Sequence, residues 1–444
     1  MSDLDLDLPA VRAGASALAG VAGRLGALLP GLRALTLTAD AFGKLPESEQ
    51  AHRRWDQASK TLIEYLTVAT NSIEGLSERV HRAGGDHERA DERRAAELDR
   101  LSLLGLSHSA GVDLLVSDGV GIPSAGSNPH AVHDWWSGLS PEQRGYVLQQ
   151  HPGTVGPLDG VPAADRDAAN RITLVEQRAE LVTERQNNLN DVVYVKELDQ
   201  RIATLDHLAT AAPENGQAYL LKLSTEDDGR AIVAVGNPDL AGRVITHIPG
   251  MSTDLTSMPH LVGQMDQLVG TLPEGTAAIA YLDYNPPNGV HTVWQEGPAD
   301  AGAAGLSRFQ DGLNATGTAG TEHLLVPHSY GGVLYGHAAA TYGVDTDAVY
   351  GIGWIGTGQS SAHEFLGTSS VSVSLHPPDI AQVVPAVPYL NHGVSPLSES
   401  FGADVIPVQS ATSWPHVAHY SDQYFRNPEV LNQIREILEP PRDE

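Results

Sequence analysis

Glu322-His-Leu-Leu-Val-Pro-His-Ser-Tyr-Gly-Gly-Val-Leu-Tyr-Gly-His337 decides how the rest of the chain is read. His323 to Val326 has the length and apolar character of a buried parallel strand, and Val333, Leu334 and Ala338 to Ala340 continue as a helix of small and apolar residues. Between them, Pro327-His-Ser-Tyr-Gly331 is a variant of the G-x-S-x-G turn, a strained strand-to-helix corner that holds a serine hydroxyl over the end of a sheet. Gly331 fits the pattern. Pro327 stands where glycine is usual; proline adopts the extended conformation of a strand end but removes one backbone donor. The expected product is Ser329 at the carboxyl edge of a parallel sheet.

Working outward, strands alternate with helices from Gln217 onward. Gln217–Leu223 and Arg230–Val235 bracket Asp227-Asp228-Gly229, a hairpin signal. Val244–Ile248, Ala277–Tyr284, His323–Val326, Ala348–Ile352, Val371–Leu375 and Val405–Gln409 read as further strands, with helices over Leu255–Leu272, Ala301–Leu313 and after Ser329. The fold class expected is α/β, a mostly parallel sheet with crossover helices, preceded by an all-α region.

A serine is a weak nucleophile without a positioned base, a carboxylate to orient that base, and backbone donors for the oxyanion. Residues just after parallel strands converge at the carboxyl edge. Asp379 follows Val371–Leu375, while His416 and His419 follow Val405–Gln409, and all suit partners of Ser329. His376 and His392 are runner-up bases. Asp347 and Asp404 precede strands and belong at the opposite edge. Pro249-Gly-Met-Ser-Thr253 ends the third strand and places Gly250 and Met251 at an oxyanion hole, with the N–H of Tyr330 as the other donor. Ser252 and Thr253 are alternatively caps of the next helix.

Earlier in the chain, Val11 to Leu101 reads as two amphipathic helices broken by Thr36–Glu49, an antiparallel hairpin that buries little alone and invites self-association or a helical partner. Gly105 to His130 is the expected linker. Residues 131–212 are expected to be helical, with Trp135 and Trp136 as packing anchors, a Ser140-Pro141 helix start, a bend at Asn187–Asn190, and charged side chains on a solvated surface. Gly156-Pro-Leu-Asp-Gly160 could border a pocket. The domains expected are 1–104, the linker 105–130, the helical region 131–212 and a catalytic domain 213–444.

The formal net charge of −28 argues against nucleic-acid binding, which depends on Lys and Arg neutralising phosphates. With 0 cysteines, disulfides, thiol catalysis and cysteine-based zinc sites are excluded. The acidic start Met1-Ser-Asp-Leu-Asp-Leu-Asp-Leu8 does not read as a signal peptide, and no apolar run reaches membrane-spanning length. A cytoplasmic location, or export by a route independent of a signal peptide, is expected.

Two resemblances carry more. The amino-terminal hairpin resembles helical modules of actinobacterial type VII secretion, with His87-Glu-Arg-Ala-Asp91 where that family has a Tyr-x-x-x-Asp signal, and with Phe42-Gly43 nearest to its Trp-x-Gly turn. Residues from about Val132 to the end resemble an actinobacterial family of α/β-hydrolases of unknown substrate. The matching motifs include His133-Asp-Trp-Trp136, Val155-Gly-Pro-Leu-Asp-Gly-Val-Pro-Ala163, Arg166-Asp-Ala-Ala-Asn-Arg171, Ala280-Tyr-Leu-Asp-Tyr-Asn-Pro-Pro287, His328-Ser-Tyr-Gly331, Pro378-Asp-Ile380, Asn391-His-Gly393 and His419-Tyr-Ser-Asp-Gln-Tyr424. This resemblance implies the triad Ser329, Asp379 and His419. The main expectation is a serine hydrolase acting on a small-molecule or lipid ester, a thioester or an amide, with no cofactor or metal required. The competing expectation is an inert hydrolase-like scaffold serving interaction or type VII secretion.

Overall fold

The computed structural model describes scattered helical residues between 16 and 30, then residues 115–117, 120–289, 292–375, 392–408 and 421–438. The chain divides into two compact units, Met1–Val112 and Asp113–Glu444. Apart from those scattered residues, the expected amino-terminal hairpin and its His87–Asp91 stretch lie outside the described residues.

The second unit begins with a hairpin of β1 (Leu115–Ser117) and β2 (Val120–Ile122), Ser117 pairing with Val120. These strands fall within the expected linker. In sequence, Asp118-Gly119 is a dipeptide favoured in two-residue hairpin connections, but it stands among Gly and Ser residues that resemble a linker. Three helices follow: α1 (Pro129–Gly138), α2 (Pro141–Gln150) and the single turn α3 (Pro152–Val155). Ser140 closes a capping box with Gln143, and Pro141 sits at the first helical position, as its sequence implied. Trp136 is buried beside Val132, Val147 and Val155, its indole N–H donating to Asp165 Oδ2 at 2.9 Å.

Two long helices, α4 (Ala163–Asn187) and α5 (Val192–Thr210), meet at the expected bend. Arg178–Asp206 and Arg185–Asp199 are exposed pairs, as expected of a solvated face. The first turns of α4 depart from that expectation. Arg166, Asp167 and Asn170 are buried against β3 (Ala218–Ser224), the edge strand of the sheet. Asp167 accepts from the Leu220 N–H at 2.7 Å, Asn170 donates to the Leu220 carbonyl at 2.9 Å, and Arg166 donates to the Leu221 carbonyl at 3.0 Å. Arg166 also pairs with Asp159 of the Gly156–Gly160 loop at 3.1 Å. An edge strand leaves backbone groups without a ladder partner, and buried backbone groups must find one. These side chains supply it.

The remaining elements are β4 (Arg230–Val235), β5 (Arg243–Ile248), α6 (Met258–Thr271), β6 (Thr276–Leu282), α7 (Gly297–Thr316), β7 (Glu322–Pro327), α8 (Gly331–Thr341), β8 (Thr346–Ile352), β9 (Thr368–Ser374), β10 (Asp404–Val405), α9 (Ser421–Phe425) and α10 (Pro428–Leu438). The sheet order is β10-β9-β8-β7-β5-β6-β4-β3. β3 and β4 are antiparallel, as are β4 and β6; every other neighbouring pair is parallel. The α/β class and the mostly parallel sheet with crossover helices are therefore as the alternation implied. Every residue of β6 is buried, the pattern of a strand covered on both faces. β10 is shorter and earlier than the expected Val405–Gln409; Ile406 adds one further bond to Val373. Among the described residues no helix is long and apolar enough to cross a membrane.

The parallel strands β5, β7, β8, β9 and β10 all deliver their following loops to one edge. Asp347, on β8, accepts from the His323 N–H at 2.8 Å near the other edge, where it was expected. A cleft of about 360 Å³ also lies at that other edge, lined by residues that include Asn314, His323, Asp345 and Asp347.

Candidate active site

Ser329 joins β7 to α8 with φ at +53°, a left-handed conformation that a residue with a side chain adopts at a cost of roughly 1–3 kcal/mol. The turn is held by its neighbours. The Ser329 N–H donates to the Ile352 carbonyl at 3.1 Å, the His328 N–H to Ile248 at 2.9 Å, and the Gly331 N–H back to His328 at 2.8 Å. A Cβ on Gly331 would stand 2.4 Å from the Ile248 oxygen, so only glycine lets the turn approach β5 this closely.

Pro327 is accommodated by interrupting a ladder. β7 and β8 pair at Leu324 and Leu325, and pairing then resumes only as an isolated bridge between His328 and Ile352. The lost donor falls in that gap. The Pro327 carbonyl accepts from the indole N–H of Trp354 at 2.9 Å.

The loop after β5 lies against the serine. A Cβ on Gly250 would be 2.8 Å from Ser329 Cβ and 3.3 Å from its Oγ. The loop is anchored on both sides of Gly250: the Pro249 carbonyl accepts from the Tyr284 hydroxyl at 2.5 Å, and the Ser252 N–H donates to the Pro287 carbonyl at 2.9 Å. Among the described residues no turn or loop bond uses the N–H of Met251 or of Tyr330. Asp254, rather than Ser252 or Thr253, caps the following 3₁₀ turn, accepting from the Thr256 N–H at 2.9 Å.

Tyr330 is buried, its hydroxyl donating to the Gln295 carbonyl and its ring stacking on Tyr284 at 6.4 Å. Burial raises the pKa of both phenols, so they remain neutral donors. His392 packs edge-on to Tyr330 at 5.7 Å. Its Nε2 donates to the Val293 carbonyl at 2.6 Å and its Nδ1 faces Glu296 at 3.7 Å, so its two ring nitrogens serve the loop ahead of α7. Burial lowers its pKa, partly offset by the bond to Val293 and by Glu296. His247, on β5, is fully buried between Phe425 and His328; its Nδ1 donates to Val326 at 2.9 Å, and burial lowers its pKa to about 4.

Among the expected site residues, Ser329, Gly250, Met251 and Tyr330 are thus brought together, and His392 stands behind Tyr330. Asp379, His376, His416 and His419 lie outside the described residues. Their strands are described: β9 and β10 run parallel to β7, and the chain leaves both at the Ser329 edge. Sequence reasoning quoted Tyr284 and Pro287 within a motif without assigning them a task, and it passed over Trp354 altogether. The available signal was position, since both tyrosine and tryptophan follow strands that end at the same edge of the sheet as Ser329.

The sequence matches a family described as alpha/beta hydrolase over residues 225–388. An uncharacterized protein of Mycobacterium tuberculosis is 27% identical over 267 residues, covering 53% of this chain and 41% of that protein. An uncharacterized protein of Mycobacterium bovis is 29% identical over 153 residues, covering 30% of this chain and 56% of that protein. The chain therefore spans less than two-thirds of the length of these relatives. Among solved structures, an esterase B from Lactobacillus rhamnosis aligns at 12% identity and a TM-score of 0.35, covering 59% of this chain and 94% of its own. A dienelactone hydrolase from Anabaena variabilis aligns at 16% identity and a TM-score of 0.33, covering 50% and 95%. Family match and sheet topology agree that the chain has an α/β-hydrolase fold.

Proposed function

We propose that this protein is a serine hydrolase acting on a small-molecule or lipid ester, a thioester or an amide. One observation carries the reading: Ser329 occupies a left-handed corner between a parallel strand and a helix, with Gly250 of the neighbouring strand's loop packed against its side chain. A protein retains such backbone strain only where the surroundings impose it, and it clusters where chemistry is done.

In this reading Ser329 Oγ attacks the substrate carbonyl carbon while its proton passes to an imidazole, assigned to His419 with His416 as the alternative. Asp379 orients that imidazole and stabilises its charged form. The carbonyl oxygen becomes an oxyanion and receives the N–H groups of Tyr330 and of the Gly250–Met251 segment. Collapse expels the alcohol, thiol or amine, which takes the proton from the imidazole. Water, activated by the same base, then releases the acid and restores Ser329. The nearness of the Gly250 loop supports this assignment of donors, and the parallel run of β9 and β10 supports that of the acid and the base.

The test is labelling of the full chain by a fluorophosphonate. Wild type is expected to be modified on Ser329, with Ser329→Ala and His419→Ala unmodified. Labelling retained in His419→Ala and lost in His416→Ala would reassign the base. A folded wild type that takes no label would favour the inert scaffold.

A further inference from the structure

The Pro249 carbonyl, to which the Tyr284 hydroxyl donates at 2.5 Å, belongs to the peptide that also carries the Gly250 N–H. In a planar trans peptide the two groups point in opposite directions, so holding the oxygen aims the N–H. Glycine at 250 is demanded by the approach to Ser329, yet it also gives this peptide more rotational freedom than another residue would. Rotation would swing the Pro249 oxygen towards the place meant for an oxyanion. Tyr284 is 2% exposed, and among the described residues its hydroxyl is spent on this carbonyl. Its ring runs parallel to that of Tyr330, the residue assigned the other donor, with centroids 6.4 Å apart and 9° between the planes.

We propose that Tyr284 is a positioning residue for the oxyanion hole, its hydroxyl holding the Pro249–Gly250 peptide against rotation and its ring setting that loop against Tyr330. The inference rests on the serine-hydrolase reading above. It assigns to the Ala280–Pro287 motif a task in the chemical step, through a residue that touches no substrate. Gly302 belongs to the same arrangement: a Cβ there would lie 2.8 Å from Tyr284 Cβ, so α7 can pack on the ring only without one.

The experiment is the kinetics of fluorophosphonate labelling in the full-length protein, separated into the rate of bond formation (kinact) and the reversible affinity that precedes it (KI). A loosened oxyanion hole slows the first and spares the second. Tyr284→Phe should lower kinact about 10- to 100-fold, since loss of a single oxyanion donor costs about 10²–10³ and here the donor is misaimed rather than removed. KI should stay within about twofold, and an alkyl boronic acid, which forms a tetrahedral anion on the serine, should bind more weakly by a factor comparable to the loss in kinact. If Tyr284→Phe does not fold, Gly302→Ala displaces the ring while keeping the hydroxyl, and the same loss confined to kinact is expected. Wild-type kinact in the folded variant, or an equal loss in kinact and in affinity, overturns the positioning role. Wild type that takes label on Ser329 beside an unaffected Tyr284→Phe removes this inference alone; wild type that takes none removes the underlying reading and the inference with it.

Discussion

The Trp354 indole N–H donates to the carbonyl of Pro327 at 2.9 Å, tying the loop after β8 to the last residue before the Ser329 turn. Trp354 is 5% exposed and fills space beside Gly332 and Gly351, where any Cβ would meet its ring below 3.0 Å. Trp354→Phe should therefore leave a buried carbonyl unpaired and a partial cavity. A loss of about 2–4 kcal/mol in urea unfolding is expected, from an unsatisfied acceptor of about 1–3 kcal/mol plus lost contacts. A loss below about 0.5 kcal/mol would mean that the bond contributes little.

The conformation of Ser329 gives a paired prediction. Ser329→Ala and Ser329→Gly both lack the hydroxyl, but only alanine keeps a Cβ at φ +53°. The glycine variant should be at least as stable as the alanine variant, by roughly 1 kcal/mol, although glycine is ordinarily the less stable choice. Differential scanning calorimetry of the two decides it. An alanine variant more stable by a similar amount would show the turn to be unstrained.

His247 links stability to acidity. Its pKa falls from 6.5 unfolded to about 4 folded, because burial penalises the charged ring. The unfolded chain binds the proton more tightly, so the stability present above about pH 6.5 is lost as pH falls towards 4. One pKa unit is about 1.4 kcal/mol, which gives a loss of up to about 3 kcal/mol from this ring. Burial lowers His323 and His392 in the same direction. Urea midpoints between pH 7.5 and 4.5 should decline more steeply for wild type than for His247→Gln, and parallel slopes would exclude His247 as a contributor.

Asn170 offers a control remote from Ser329. Its side-chain amide donates to the carbonyls of Leu220 and Gly156 at 2.9 and 3.1 Å, and it is 1% exposed. Asn170→Leu, similar in size, should cost about 1–3 kcal/mol through the abandoned Leu220 acceptor, while the Gly156 carbonyl keeps the Arg166 Nε donor at 3.1 Å. Fluorophosphonate labelling of the folded variant should match wild type. Reduced labelling at full folding would show that α4 acts on the site.

The corner around Ser329 was legible because β7 and α8 have unlike periodicities and the small residues between them have few other uses. The alternation from Gln217 gave the parallel sheet for the same reason. What periodicity does not carry is the partner. It placed Tyr284 at the end of a strand, but not under the Pro249 carbonyl, which is 35 positions earlier in the chain. It also assigned the charges of α4 to solvent, since nothing local to Arg166, Asp167 or Asn170 announces that an edge strand awaits them. The candidate bases His416 and His419 were separable only by resemblance, and they lie outside the described residues.

The side chains that α4 lays along β3 also bear on how such molecules meet one another. With the outward groups of Leu220 and Leu221 engaged, that margin offers no template for an incoming strand. The other margin of the described sheet is β10, Asp404 and Val405. There the pairing run of the described residues is two residues long and both are exposed, so of the two margins it is the strand beside α4 whose backbone is already spoken for.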